Sequence, residues 1–152
     1  MTTDPLTIPA RRAWLGILAR AEPTALEQHL RQAPPLPDFV FLRRPETGLS
    51  MVRGRTGGNG EAVNLIEATL TRASITDSQG HTGHGYVLGR AQAHAITVAR
   101  LDAALQCPTR HTALMAAVVD PLAALERQRH ADVEATAAGT EVRFFTMSTG
   151  RS

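Results

Sequence analysis

The chain has no lysine: all 16 of its basic residues are arginine. A phosphate-binding loop of the Gly-x4-Gly-Lys-Ser/Thr kind is therefore excluded. Gly57-Gly58-Asn59-Gly60 reads instead as a glycine turn, with a backbone anion nest as the lesser alternative. Cysteine is nearly absent as well. With Cys107 alone, no intramolecular disulfide and no cysteine-ligated cluster can form, which fits a reducing cytoplasm. Its place just before Pro108 makes Cys107 a small buried apolar group rather than a nucleophile. No apolar run approaches the roughly 20 residues of a membrane span. The first nine residues lack the basic-then-apolar order of a leader, so a soluble cytoplasmic protein is expected. The formal charge of +2 is too small to imply a nucleic-acid partner.

What is present suits one domain. A chain of 152 residues, 43% hydrophobic and 20% charged, can form a single core without staples. Its organising stretch runs from 67 to 94. Thr69, Thr71 and Ile75 alternate with Leu70, Arg72, Ser74 and Thr76, the period of a strand. Asp77-Ser78-Gln79-Gly80 supplies turn formers, and a second run ends in Gly85-Tyr86-Val87-Leu88-Gly89-Arg90, giving an antiparallel hairpin. Past Arg90 the period becomes helical, with His94, Val98, Leu101 and Leu105 on one stripe.

Around this unit, residues 1–8 read as a loose tail, and Ala10 to Ala21 as a helix that buries Trp14, Ile17 and Leu18. A second helix runs from Thr24 to Gln32, where Thr24 and Glu27 have capping-box spacing. After the connector Pro34-Pro35-Leu36-Pro37, Phe39–Leu42 and Leu49–Thr56 read as two strands joined by a turn at Glu46-Thr47-Gly48. Ala62–Ile66 is a further short strand. The helix from Ala91 stops near Gln106, and Thr109–Val119 is helical. Another helix starts with Asp120 as N-cap and Pro121 in its first turn, and ends at Gly139. Residues 141–147 form a last strand or an extended arm, and Phe144 and Phe145 must be covered by this subunit or another. The fold class is α+β, an antiparallel sheet of four to five strands packed with N- and C-terminal helices.

No catalytic constellation emerges. Ser50 and Ser74 lack a nucleophile elbow. His81 and His84 would point to opposite faces of a strand, so no metal site is expected. His94 on its apolar stripe fits a hydrogen-bonded, half-buried histidine. Arg72 and Arg90, with Arg55, are the strongest polar candidates, for a phosphate-bearing ligand or for a partner's carboxylates. The plainer alternative is a solvated face, or an internal pair such as Arg72 with Glu67.

The order Thr69-Leu70-Thr71-Arg72-Ala73, Gly85-Tyr86-Val87-Leu88-Gly89-Arg90 and His94-Ala95 resembles the PhnG family of bacterial carbon–phosphorus lyase systems. Glu46-Thr47-Gly48-Leu49, Gly57-Gly58-Asn59-Gly60-Glu61 and Phe144-Phe145-Thr146-Met147 extend the resemblance from Trp14 to Met147. It implies a subunit that acts with PhnH, PhnI and the ATPase-like PhnL, in an oligomeric assembly that also holds PhnJ. The joint reaction displaces adenine from ATP with methylphosphonate, giving ribose 1-methylphosphonate 5-triphosphate. ATP is then a co-substrate of the assembly and not a cofactor of this chain. The missing catalytic constellation and the Phe144-Phe145 arm favour a mainly architectural subunit that binds PhnI, with direct phosphonate or nucleotide binding as the alternative. Arg55, Glu67, Thr69, Arg72, Gly89, Arg90 and His94 are the candidate ligand or partner contacts, and Phe144, Phe145 and Met147 a candidate interface arm.

Overall fold

A computed structural model describes residues 7–55 and 60–139. Helix α1 (Ile8–Arg20) begins earlier than its periodicity suggested, because the Thr7 hydroxyl accepts the Ala10 N–H and Pro9 fits the first turn. Thr7 and Ile8 thus belong to the helix start rather than to a tail. Helix α2 (Pro23–Gln32) begins at Pro23, which puts Thr24 inside the first turn. The capping box does not form, and Glu27 pairs with Arg31 one turn on instead.

Among the described residues three antiparallel strands follow in the order β1 (Phe39–Arg55), β2 (Ala62–Asp77), β3 (Thr82–Leu88). Four to five strands were expected, and the difference has a physical origin. Glu46-Thr47-Gly48 is not a turn: these residues pair with Arg72, Thr71 and Leu70, so the two short runs around them are one 17-residue strand. Pro45 is tolerated because β1 lies at the sheet edge, where register shifts at Arg43 take up the missing N–H. Likewise Ala62–Ile66 runs on into 67–77 as one 16-residue strand. The proposed strand or arm at 141–147 lies outside the described residues, as do Gly57, Gly58 and Asn59.

The β2–β3 turn forms as its residues require. Asp77 Oδ1 accepts the backbone N–H groups of Gln79 and His81, each at 2.9 Å, and Gly80 adopts φ +88°. Helix α3 (Gln92–Leu105) then folds back across the inner face of the sheet and is buried along most of its length. It comes unusually close to β3. A Cβ added to Gly83 would collide with the Ala99 carbonyl oxygen and lie 2.7 Å from the Ala103 nitrogen. One at Gly85 would collide with the Ala95 carbonyl oxygen and lie 3.0 Å from the Ala99 nitrogen. Alternate glycines on the strand and Ala95, Ala99 and Ala103 on the helix therefore make one small-residue seam.

Helix α4 (Pro108–Leu114) passes through a π turn (Met115–Val119) directly into α5 (Asp120–Gly139). Asp120 is not an N-cap: it has helical dihedrals, and its N–H bonds to the Met115 carbonyl. The wide turn accommodates Pro121, which has no N–H to donate, while Leu114, Val118, Val119 and Leu122 all stay buried. These residues join Trp14, Leu18, Leu26, Val98, Leu101 and Leu105 in the main core. The helices thus cover one face of the sheet.

Candidate functional site

β2 is the central strand, and its alternation sorts the candidates onto two faces. Thr71, Ala73, Ile75 and Asp77 point inward and are buried. Leu70, Arg72, Ser74 and Thr76 point outward with their partners across the sheet: Gly48 and Leu88, Glu46 and Tyr86, His84, and Val40 and Thr82. The outer face carries the polar cluster. Arg72 Nε donates to Glu46 Oε1 at 2.6 Å, and Arg43 Nη1 donates to the same oxygen at 2.7 Å. The hydrogen bond from Arg43, and then that from Arg72, hold the Glu46 carboxyl below the ordinary value of 4.5. Beside the cluster lies an open groove of about 490 Å³ lined by Glu46, Thr47, Gly48, Leu49, Ser50, Leu70, Arg72 and Tyr86. In the next row Ser74 Oγ and His84 Nδ1 are 2.8 Å apart. Glu46 Oε1 thus engages the Arg43 and Arg72 guanidinium groups together.

The three arginines singled out from sequence do not converge. Arg55 is opposite Ala62 on β2, and Arg72 lies ten residues further along that strand, roughly 33 Å away. Arg90 is exposed beyond Gly89, four residues past Tyr86, the cross-strand neighbour of Arg72. Arg72 pairs with Glu46 and not with Glu67, which is exposed opposite Met51. Gly89, at φ +87°, is a clamped turn: its N–H donates to the Thr69 carbonyl at 2.8 Å, and its own carbonyl accepts the buried Thr71 hydroxyl at 2.6 Å. Thr71 also meets Thr47 Oγ1 at 3.0 Å. His94 is 8% exposed, and its Nε2 donates to the Leu18 carbonyl at 2.8 Å, so it ties α3 to α1. Thr69, Gly89 and His94 thus hold the fold, while Arg55, Glu67, Arg72 and Arg90 face solvent. Phe144, Phe145 and Met147 lie outside the described residues.

Sequence reasoning passed over Asp102. Its carboxylate is wholly buried and receives four hydrogen bonds: Arg11 Nε (3.0 Å) and Trp14 Nε1 (3.0 Å) on Oδ1, Arg11 Nη2 (2.7 Å) and the His84 N–H (2.9 Å) on Oδ2. It fixes α1, α3 and β3 to one another behind the outer-face cluster. The available signal was its place four residues after Val98, on the stripe otherwise read as apolar.

Cys107 is buried before α4, and its thiol is drawn below the ordinary value chiefly by the Thr109 hydroxyl 3.2 Å away. Among the described residues no group of three His, Cys, Asp or Glu side chains could hold a metal ion, and no helix is long and apolar enough to cross a membrane.

Comparison with known proteins adds a match over nearly the whole chain. The family model described as phosphonate metabolism protein PhnG matches residues 9–150. A relative from Rhizobium meliloti (strain 1021), the alpha-D-ribose 1-methylphosphonate 5-triphosphate synthase subunit PhnG, is 38% identical over 149 residues. That alignment covers 98% of this chain and 95% of the relative.

Proposed function

Because this chain belongs to the PhnG family of phosphonate metabolism proteins, we propose that it is an architectural subunit of the assembly that makes ribose 1-methylphosphonate 5-triphosphate. In that assembly ATP and methylphosphonate are the substrates and adenine is released. The chain binds PhnI and supports its active site, with PhnH and PhnL completing the reaction in the cytoplasm and PhnJ acting on the product. The observation that carries this reading is the match over nearly the whole chain to a protein named as a subunit of that synthase. Among the described residues the helices lie on one face of the sheet, which is consistent with it, since the other face then offers a broad surface for another subunit.

The test is co-purification of this chain with its cognate PhnI, followed by adenine release from ATP and methylphosphonate. Activity should need both chains, and this chain alone should bind neither substrate. Turnover by this chain alone would overturn the proposal.

A second reading, direct phosphonate binding, draws on Arg43 and Arg72 meeting at Glu46 beside the outer groove. It requires Arg72→Ala to weaken methylphosphonate binding while assembly stays intact. Loss of assembly without any ligand binding by the parent chain would favour the architectural reading.

A further inference from the structure

From Ser50 to Arg55 on β1, and over the stretch of β2 opposite, the sheet is reduced to two strands. β3 ends at Leu88, opposite Leu70, so among the described residues no strand lies on the other side of residues 62–68. Residues 46–53 and 62–67 are exposed without exception, whereas β2 is buried at every second residue from Thr71 onward. A two-stranded ribbon in water is marginal on its own, and its free edges invite pairing.

Its side chains are not those of a solvated hairpin. Val52, Val63, Leu65 and Ile66 are 38, 40, 55 and 61% exposed on the outer side, and Leu49 and Met51 are 69 and 51% exposed on the other. The outer strip continues along the sheet into Leu88. Gly54 is what admits the bulged Leu65 to this strip, since a Cβ at that position would collide with the Leu65 side chain.

Charge adds a direction. Six arginines and four carboxylates fall between residues 39 and 90, so this segment carries the whole +2 of the chain and the remainder is neutral. Among the described residues, Arg43 and Arg72 are matched by Glu46, and Arg44 lies over the Phe41 ring. Among these same residues Arg53 reaches only the Ala62 carbonyl at 3.4 Å, and Arg55 meets no carboxylate.

We infer that this ribbon is the docking arm of the subunit, gripped on its apolar faces by a different protein subunit whose slot is bordered by carboxylates that meet Arg53 and Arg55. The inference rests on the architectural reading above and assigns it a surface. Glu61 and Glu67 leave the ribbon itself balanced in charge, so a second copy of this chain is set aside by the architectural reading, which makes the chain one subunit among different proteins, and not by repulsion.

The experiment co-produces the full chain with its cognate PhnH, PhnI and PhnJ. Val52→Asp with Ile66→Asp, and separately Arg53→Glu with Arg55→Glu, should cut co-purified partner, at least about a hundredfold for the aspartates, whose charges would be buried unpaired. Leu125→Asp with Val133→Asp, on exposed positions of α5, should leave assembly unchanged. In the parent assembly, p-benzoylphenylalanine in place of Leu65 should crosslink to another subunit on illumination. That arm decides the matter should a ribbon variant lose its circular-dichroism spectrum. Full assembly by both ribbon variants, or a crosslink joining two copies of this chain, would overturn the inference. If the parent chain assembles with none of the three proteins, the architectural reading itself fails and the docking arm falls with it.

Discussion

Asp102→Asn tests the fold's internal anchor in a form that can be worked out donor by donor. The substitution keeps the shape but turns one acceptor oxygen into an NH2 group. If the amide replaces Oδ1, it faces Arg11 Nε and Trp14 Nε1; if it replaces Oδ2, it faces Arg11 Nη2 and the His84 N–H. Either way two donors confront a donor. The Arg11 side chain is 32% exposed and can turn to water, but Trp14 is 2% exposed and cannot. An unsatisfied buried donor costs about 1–3 kcal/mol, and unpairing a buried charge about 3–5 kcal/mol. With Arg11 partly rehydrated, a loss of about 3 kcal/mol is expected, which at this chain length lowers Tm by roughly 6–12 °C. Urea unfolding followed by the fluorescence of Trp14, the only tryptophan, reads it directly. Arg11→Met should cost a similar amount, and the double variant should fall well short of the sum. A loss below about 1 kcal/mol, or strict additivity, would refute the anchor.

Other consequences are as direct. Gly83→Ala or Gly85→Ala forces α3 off β3, because the obstacles are backbone atoms; either should cost several kcal/mol, about 3 or more, in urea unfolding, and a loss under about 1 kcal/mol would contradict the seam. Thr71→Val removes the hydroxyl that holds the Gly89 carbonyl and should cost about 1–2 kcal/mol, seen as faster hydrogen exchange at Gly89. Glu46, Glu126 and Asp77 are held below their ordinary values of 4.5, 4.5 and 3.8. Arg43 and Arg72 act on Glu46, and Arg20 on Glu126. For Asp77 burial pushes upward, but the hydrogen bonds from His81 and Gln79 together outweigh it. Their stabilisation is therefore present above the ordinary carboxylate range and lost as pH falls through the lowered values. Tm should be flat from neutrality to about pH 5 and fall below about pH 4, with Glu126→Gln reducing that acid-side fall; a Tm unchanged down to pH 3 would count against these pairs.

The parts of the fold legible in sequence were those set by local chemistry. Thr69 to Thr76 alternate as a strand, Asp77 to Gly80 carry the turn, and His94 on an apolar stripe is a bonded core histidine, as its position implied. What failed was set by distant partners. Glu46-Thr47-Gly48 has turn composition, yet pairing with Leu70, Thr71 and Arg72 holds it straight, so two expected strands are one. Asp120-Pro121 has the composition of a helix start, yet burial of Val118, Val119 and Leu122 carries the helix through in a π turn. The candidate site divided in the same way. Thr69 and Gly89 were found by motif, but only the coordinates show that they clamp a turn. Arg55 and Arg72 were grouped as candidate phosphate or partner contacts, but ten residues of strand separate them. The Glu46 link between Arg43 and Arg72, and the Asp102 anchor, depend on register and on a crossing helix, which no local pattern encodes.

The most direct test of the central claim is reconstitution of adenine release from ATP and methylphosphonate with cognate PhnH, PhnI and PhnL, with and without this chain. The architectural account predicts a stable complex with PhnI, and adenine release that disappears when this chain is omitted while this chain alone binds neither substrate. Undiminished release without it, or release by this chain on its own, would contradict the account.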